Sequence, residues 1–215
     1  MITDPDLSRS AAMDGAIWKQ SPYYEQAERW THLFWSEGSV FRTLFDRLEL
    51  ASVVELACGH GRHAAQVVAR CGLLTLVDMH VENVEFCRHR LAVSHNVDYV
   101  VNNGFDLRPL PDAGTTALFC YDAMVHFAPD VVGAYLFETA RVLKPGGQAL
   151  FHHSNFAGAP AWSADMNPHA RNFMTRNLFA ILARGAGLTV SESVVIRWGN
   201  APNLDCITLL RRQTC

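Results

Sequence analysis

The segment from Val53 to Asp78 constrains the fold more than any other part of the sequence. It contains an apolar run, a glycine-bearing turn, a helical stretch and a second apolar run; these are residues 52–56, 57–61, 62–70 and 73–77. Asp78 follows directly. A strand, a glycine turn, a helix and a strand in this order are typical of a βαβ unit with parallel strands. We therefore expect a parallel sheet with helices on its faces.

The rest of the chain continues this alternation. The pattern predicts helices over about 82–93, 131–143 and 175–184, and strands over 98–101, 116–121, 148–152, 188–198 and 204–210. The helix that precedes Lys144-Pro145-Gly146-Gly147 is expected to stop there, because proline cannot continue a helix and glycine supplies the turn. The last two strands look like a closing antiparallel pair. The sequence thus predicts an α/β fold, a single Rossmann-like domain over residues 51–215 with a mostly parallel, seven-stranded sheet.

Residues 1–50 lack this alternation and are expected to form an N-terminal helical cap on the same domain. They contain many aromatic residues and then apolar residues at helical spacing; these are Trp18, Tyr23, Tyr24, Trp30, Phe34 and Trp35, followed by Val40, Leu44, Phe45 and Leu48. Such rings either pack on the core or form a lid that excludes water from a substrate. Both interpretations can hold for one segment.

Composition limits the classes of function. A chain of 215 residues that is 49% hydrophobic is long enough for one domain with a substantial core. The net charge of -3 gives no basic surface of the kind that binds nucleic acid. The cysteines include no CxxC pair, which fits a reducing compartment. No signal peptide or membrane span is recognisable, so we expect a cytoplasmic protein.

The glycine turn and Asp78 together predict a nucleoside site. Glycines let a ligand approach the backbone at the carboxyl edge of the sheet, and a carboxylate after the second strand can accept from both hydroxyls of a ribose. Gly59, Gly61 and Ala64 also fit the dinucleotide fingerprint, so NAD is an alternative. Glu55 disfavours it, because a carboxylate would repel a pyrophosphate but suits the ammonium group of an amino acid.

These motifs resemble those of the class I S-adenosylmethionine-dependent methyltransferases. The family's acid-x-Gly-x-Gly-x-Gly motif maps onto Glu55 through Gly61. Ala57 replaces the first glycine, and we expect an ordinary backbone conformation there. The stretches 102–105 and 143–147 are similar to the family's adenine-contacting loop and to the turn that leads into its fifth strand.

The resemblance implies S-adenosyl-L-methionine as the cofactor and assigns its contacts. Glu55 would face the amino acid group, Asp78 the ribose, and Asn103 with Phe105 the adenine. The implied cofactor residues are Glu55, Ala57, Cys58, Gly59, Gly61, Asp78, Met79, Asn103, Gly104, Phe105 and Tyr121.

Methyl transfer to a hydroxyl needs a base close to the reacting groups. His126 is the leading candidate, because imidazole titrates near neutrality; the alternative is that it caps a turn or binds a backbone carbonyl. Asp122 would orient His126 or contact the substrate. Neighbouring side chains of a strand face opposite ways, so one of His152 and His153 would face the site, and His153 is preferred.

The acceptor is expected to be a small polar molecule. A polar stretch follows the fifth predicted strand, with Trp162, Asp165, Asn167, His169, Arg171 and Asn172. It suits a polyhydroxylated acceptor, and together with the HHSN stretch it is weakly similar to sugar and polysaccharide O-methyltransferases; the alternative is an ordinary solvated loop. Asp122, His126 and His153 lack the HxH or HExxH spacing of metal sites, so no metal is predicted.

Other functions remain open at this stage. A small amine could be the acceptor, in which case no strong base is needed. An NAD-dependent oxidoreductase and a non-catalytic adenosylmethionine-binding protein are the alternatives from other classes. The sequence does not indicate an oligomeric state.

Overall fold

The computed structural model describes residues 3–159, 166–167 and 169–214. The helices α1 to α8 span Asp4–Ala16, Tyr23–Ala27, Thr31–Trp35, Val40–Phe45, Ala64–Val67, Val81–Arg90, Pro129–Val142 and Arg176–Gly185. The strands β1 to β7 span Ser52–Leu56, Leu73–Asp78, Val97–Val101, Thr115–Cys120, Leu143–Ser154, Leu188–Trp198 and Ala201–Arg212. Short 3-10 turns cover Glu28–Trp30, Val68–Arg70 and Met124–His126.

The strands form one seven-stranded sheet in the order β3-β2-β1-β4-β5-β7-β6. Strands β1 to β5 are parallel, whereas β7 runs antiparallel to both β5 and β6. The predicted α/β fold with a closing antiparallel pair is confirmed. The strand order reverses between β1 and β4, and an open α/β sheet binds its ligands outside the carboxyl ends of its strands at such a point.

The central strands are apolar on both faces because helices cover both sides of the sheet. Leu118 and Phe151 belong to the apolar cluster on one face, and Phe119 and Leu150 to the cluster on the other. All four side chains are fully buried. Each contributes roughly 1.5–3 kcal/mol by burial, so the β4–β5 centre is a rigid base for the residues that follow these strands.

Several boundaries differ from those expected. The helix predicted over 62–70 is a short α5, Ala64–Val67, continued by a 3-10 turn. Strand β5 begins at Leu143 rather than 148, because Leu143 already pairs with Thr115 before the register shifts and Gln148 pairs with Ala117. The turn residues 144–147 are therefore an irregularity within a strand.

The N-terminal helices lie over the carboxyl edge of the sheet. Trp35 is buried against Phe41 and Phe45 with edge-on ring contacts, and its indole N–H donates to Nδ1 of His63, 3.1 Å away. Helix α1 packs beside α7. The division of the chain at residue 50 stays a prediction. Within the described ranges, no helix is long and apolar enough to span a membrane.

Candidate active site

A cavity lies between the N-terminal helices and the carboxyl ends of β1, β2 and β4. Its sheet-side wall consists of residues 56–60, 62–63, 78–80, 102, 104, 121–123, 126–127, 131 and 135. Its cover consists of Ala11, Asp14, Gly15, Trp18, Tyr23, Tyr24 and Ala27. The aromatic residues of the N-terminal region thus occupy both kinds of position expected for them. Trp35 packs in the core, and Tyr23 and Tyr24 cover the cavity.

The turn after β1 has left-handed backbone conformations at Ala57, Gly59 and Gly61, with φ of 56°, 53° and 68°. A side chain on Gly59 would also collide with the Tyr24 ring, because its Cβ would lie 2.7 Å from Cε1. The expectation of an ordinary conformation at Ala57 is wrong. The turn keeps the path that a glycine would give it, and a left-handed L-residue costs roughly 1–2 kcal/mol.

Asp78 anchors this turn from the end of β2. Its Oδ2 accepts from the backbone N–H of Gly59 at 2.9 Å, and its Oδ1 accepts from the N–H of His80 at 2.9 Å and from the Asn83 amide at 3.1 Å. Burial raises the pKa of Asp78, although these hydrogen bonds act in the opposite direction. Asp78 lines the cavity, where its carboxylate can also accept from a ribose diol.

Tyr24 connects the N-terminal region to this end of the cavity. Its hydroxyl accepts from the Asn83 amide at 3.0 Å, and its ring stacks on His60 with centroids 4.5 Å apart. His60 in turn stacks on Phe86 at 3.9 Å. The cover is therefore fixed to the residues that surround Asp78.

Glu55 lies behind the turn and does not line the cavity. It is 2% exposed, and its Oε2 has no hydrogen-bond partner among the described residues. Burial raises the pKa of Glu55 to about 8, so the carboxyl is largely protonated at neutral pH. Glu55 was expected to be ionised and to face the ammonium group of a cofactor, whereas here it is largely protonated and lies outside the cavity lining.

The loop after β3 also differs from expectation. Gly104 and Met79 line the cavity, but Asn103 and Phe105 do not. The Asn103 side chain is used within its own loop, because its Oδ1 accepts from the N–H groups of Phe105 and Asp106. Phe105 is buried in the core. Asn102, which was not predicted, lines the cavity and donates to the Tyr135 hydroxyl at 2.9 Å.

Asp122 follows β4 in a left-handed conformation, with φ of 56°. Its Oδ2 accepts from the Tyr23 hydroxyl at 2.6 Å and pairs with the Arg62 guanidinium. Its Oδ1 is buried and has no partner within the part of the chain that the structure describes. Asp122 and Tyr121 both line the cavity. A carboxylate oxygen held at a cavity wall without a partner is an acceptor site for a ligand.

His126 lines the same end of the cavity. Its Nδ1 lies 2.9 Å from the Ala170 carbonyl oxygen, and because a carbonyl only accepts, Nδ1 carries the proton and Nε2 is the basic nitrogen. The ring packs on Trp18 with centroids 4.3 Å apart. Burial lowers the pKa of His126 to about 4. The carbonyl contact considered for His126 and the geometry of a neutral base therefore occur together.

His153 is a correction. It does not line the cavity but stacks on Phe179 at 3.7 Å, on the side of the sheet that α8 covers. Its ring nitrogens are bonded to the Ser154 carbonyl and the Thr208 hydroxyl. His152, on the other face, contacts the backbone of Asp122. The two histidines lie on opposite faces of the sheet, as expected, and neither side chain lines the cavity.

The polar stretch after β5 is described in part. Trp162 and Asp165 lie outside the described residues. Arg171 is 2% exposed and is bound through its backbone to the Asn167 side chain. Its guanidinium pairs with Asp205 through two hydrogen bonds of 2.9 and 2.6 Å. At Arg171 this stretch is thus a buried anchor rather than a solvated loop.

Comparison with known proteins identifies the central part of the chain. Residues 53–147 match a family model described as a methyltransferase domain. This segment contains the glycine turn, Asp78, Asp122 and His126. The match covers less than half of the chain, and over these residues the chain is similar to a methyltransferase domain. The fold and the motifs resemble those of the class I methyltransferases, whose cofactor is S-adenosyl-L-methionine, as predicted.

One curated protein is similar in sequence to part of the chain. It is a fatty-acid O-methyltransferase of Mycolicibacterium smegmatis, 34% identical over 101 residues. The alignment covers 46% of this chain and 35% of that enzyme, so this chain spans about a third of the relative's length.

Solved structures share the fold at low sequence identity. Geranyl diphosphate C-methyltransferase from Streptomyces coelicolor A3(2) has a TM-score of 0.64 at 17% identity, over 80% of this chain and 77% of that one. A putative sarcosine dimethylglycine methyltransferase from Galdieria sulphuraria has a TM-score of 0.66 at 14% identity, over 95% and 98%. The [4+2]-cyclase SpnF has a TM-score of 0.65 at 18% identity, over 91% and 84%. The fold therefore occurs with more than one named activity.

Besides Asn102, the cavity wall includes Asp14, Arg62 and His63, which were not among the site residues predicted from the sequence. His63 Nδ1 accepts from Trp35, so Nε2 carries the proton, and it has no partner among described residues. Arg62 and His63 follow the glycine turn directly, which was a usable signal; Asp14 had none. No group of three or more His, Cys, Asp or Glu side chains in the described ranges is arranged to hold a metal.

Proposed function

We propose that the protein transfers the methyl group of S-adenosylmethionine to a hydroxyl oxygen of a small polar acceptor, a sugar or similar polyol, with His126 as the base. The observation that carries this proposal is the His126 ring on the cavity wall. Its tautomer is set by Ala170, so Nε2 is the nitrogen that can take the hydroxyl proton. Base catalysis of this kind contributes typically 10²–10⁴-fold.

The cofactor is assigned to the end of the cavity that Asp78 marks. Asp78 would accept from the ribose hydroxyls, and Met79 with Gly104 would border the adenine. Arg62 and the Nε2–H of His63 are the hydrogen-bond donors that suit the carboxylate of the amino acid group. The acceptor would then lie towards Asp122 and His126.

The chemistry of the acceptor end supports a hydroxyl compound. Asp14 and Asp122 supply carboxylates, and Trp18 supplies an aromatic ring. Carboxylates accept hydrogen bonds from hydroxyls, and a flat ring can pack against the carbon face of a sugar. An anionic acceptor such as a fatty acid, which the name of the Mycolicibacterium smegmatis relative contains, would be repelled by Asp14, whereas the charge of Asp122 is balanced by Arg62.

The carboxylate of Asp14 favours a second candidate, N-methylation of a small amine, because an ammonium group is attracted to it. The two candidates differ in the need for a base. A neutral amine attacks without one, so His126→Ala would spare an N-methyltransferase and would impair an O-methyltransferase.

The cofactor part of the proposal is tested by thermal shift with S-adenosylmethionine, S-adenosylhomocysteine and NAD. Stabilisation by the first two is expected, and stabilisation by NAD alone would overturn the proposal. The acceptor part is tested by incubating extracts with methyl-labelled S-adenosylmethionine and identifying the labelled products. Labelled ethers on polyols are expected, and a predominance of labelled amines would favour the second candidate.

A further inference from the structure

Asp122 is held by a chain of buried groups that begins outside the cavity. The backbone N–H of Asp122 donates to Nδ1 of His152 at 3.1 Å. Nε2 of His152 lies 3.1 Å from Oδ2 of Asp205, and the carboxylate of Asp205 is clamped by Arg171. His152 and Asp205 are completely buried. Three side chains from β5, β7 and the polar stretch are thus connected to the backbone of one residue at the cavity wall.

The protonation of this chain follows from its partners. A backbone N–H is a donor, so Nδ1 of His152 must be the unprotonated acceptor, and the proton lies on Nε2, facing Asp205. Burial alone would raise the pKa of Asp205, but the hydrogen bonds and charges of His152 and Arg171 lower it to about 2. Asp205 is therefore a permanent acceptor that selects a single tautomer of His152.

The His152 ring is also fixed in orientation. It lies between the rings of Tyr121 and Trp198, with centroids 4.7 and 5.0 Å away. The Arg171 guanidinium in turn lies 5.0 Å from the centre of the Trp198 ring. A ring confined in this way directs its Nδ1 lone pair at one point, which is the amide of Asp122.

We propose that His152, Asp205 and Arg171 are positioning residues that hold Asp122 in its left-handed conformation and so fix its carboxylate at the cavity wall. A non-glycine residue with φ of 56° is costly unless its surroundings hold it there. The Nδ1 of His152 supplies that restraint from the backbone, while Arg62 and Tyr23 supply it from the side chain. The importance of this geometry for turnover rests on the function proposed for Asp122, but the geometry itself can be tested without an acceptor.

Two substitutions of His152 separate positioning from packing. In His152→Asn the amide oxygen can take the place of Nδ1 and accept from Asp122. In His152→Gln the longer side chain places an amide donor near Nε2, which preserves the contact with Asp205 and leaves Asp122 without its acceptor. If His152 acts by positioning Asp122, the Asn variant should protect the Asp122 amide from exchange better than the Gln variant. If His152 acts only by packing, the larger Gln should protect it better.

Asp205→Asn tests the tautomer. Arg171 would attract the new amide oxygen, so the amide NH₂ would face Nε2 of His152. That nitrogen would then have to accept, the proton would move to Nδ1, and Nδ1–H would oppose the N–H of Asp122. The ring would keep its place and lose its function as an acceptor.

The experiment is ¹⁵N NMR of the full chain with S-adenosylhomocysteine, recording the His152 ring nitrogens and the hydrogen exchange of the Asp122 amide relative to global stability. We expect an unprotonated Nδ1 in the wild type. Exchange at Asp122 should rise about tenfold in His152→Gln and in Asp205→Asn, the effect of one lost hydrogen bond, and less than about threefold in His152→Asn. His153→Asn is the matched control, because it is an equally buried histidine on the same strand without contact to Asp122.

A protonated Nδ1 in the wild type would overturn the inference, as would equal exchange at Asp122 in the two His152 variants. If Asp205→Asn does not fold, the two His152 variants still decide. A wild-type result as expected, combined with no loss of methyl transfer in Asp122→Asn, would instead preserve this geometry and refute the proposed contact between Asp122 and the acceptor.

Discussion

The two ends of the cavity hold their functional groups by different means. At the Asp78 end, the carboxylate is fixed mainly by backbone N–H groups of Gly59 and His80, which lie in the turns beside it. At the Asp122 end, it is fixed by the side chains of Tyr23, Arg62 and His152, which come from distant parts of the chain. The first end can form wherever the βαβ unit forms. The second requires the complete tertiary structure, including the N-terminal cover.

His126→Ala is expected to have the largest effect and to test whether the acceptor end performs the chemistry. Removing the base should lower kcat for a hydroxyl acceptor about a thousandfold, while affinity for S-adenosylhomocysteine should change little. The measurement is transfer of labelled methyl to the acceptor found by the extract screen. His95→Ala is the control, since His95 is exposed. Unchanged turnover in His126→Ala would refute the role of His126 as the base.

The pH dependence of the wild type gives an independent check on His126. Burial lowers its pKa to about 4, so the ring is neutral and able to accept a proton at every pH well above that value. Burial raises the pKa of Asp14, which also lines the cavity, to about 6, so the profile is recorded in Asp14→Asn as well. In that variant the rate should stay level between pH 6 and 8 and fall only as the pH approaches about 4. A fall centred near 6.5, the ordinary value for histidine, would contradict this environment.

Asp122→Asn should have the next largest effect, about a hundredfold on kcat/KM. The amide keeps the shape of the side chain but replaces the ionised carboxylate that Arg62 pairs with, and it leaves Arg62 without a counter-ion. The binding of S-adenosylhomocysteine, measured by calorimetry, should be much less affected than the rate. The exposed Asp98→Asn serves as the control. If cofactor affinity falls as much as the rate, then Asp122 belongs to the cofactor end, and the proposed division of the cavity is wrong.

This difference between the two ends also explains what sequence reasoning could reach. The fold, the glycine turn and Asp78 are local in sequence, so their order and spacing were sufficient. Glu55, Asn103 and His153 lie outside the cavity lining, which the sequence did not indicate because burial and strand-face direction depend on neighbours from distant parts of the chain. Asp14 and the Arg171–Asp205 pair could not be found from the sequence. These residues are far in sequence from the groups that they contact, and only the folded structure shows which distant residues come together.

Glu55→Gln tests the cofactor end through stability. The folded pKa of about 8 lies above the ordinary value of 4.5, so the folded state retains a proton that the unfolded chain releases, and stability falls as pH rises from 4.5 to 8. Glutamine does not titrate, so the Glu55→Gln variant does not lose stability in this way as the pH rises. The difference in unfolding free energy between variant and wild type should therefore shift in favour of the variant by about 3.5 kcal/mol between pH 5 and 8.

Urea unfolding at the two pH values measures this shift. Cofactor affinity at pH 7 should hardly change, because Glu55 does not line the cavity. A large loss of affinity with a pH-independent stability difference would mean that Glu55 is ionised and contacts the cofactor, as its place in the motif first indicated.

Ala57→Gly is expected to have the smallest effect and to show how rigid the cofactor end is. Glycine adopts a φ of 56° without the steric cost of Ala57 but loses more entropy on folding, so the net gain should be about 0.5 kcal/mol. Ala113→Gly is the matched control, because Ala113 has a φ of 49° and does not line the cavity. Both variants should raise the Tm slightly. A change in S-adenosylhomocysteine affinity with Ala57→Gly alone would show that the alanine methyl contacts the ligand and that the backbone does not define this end by itself.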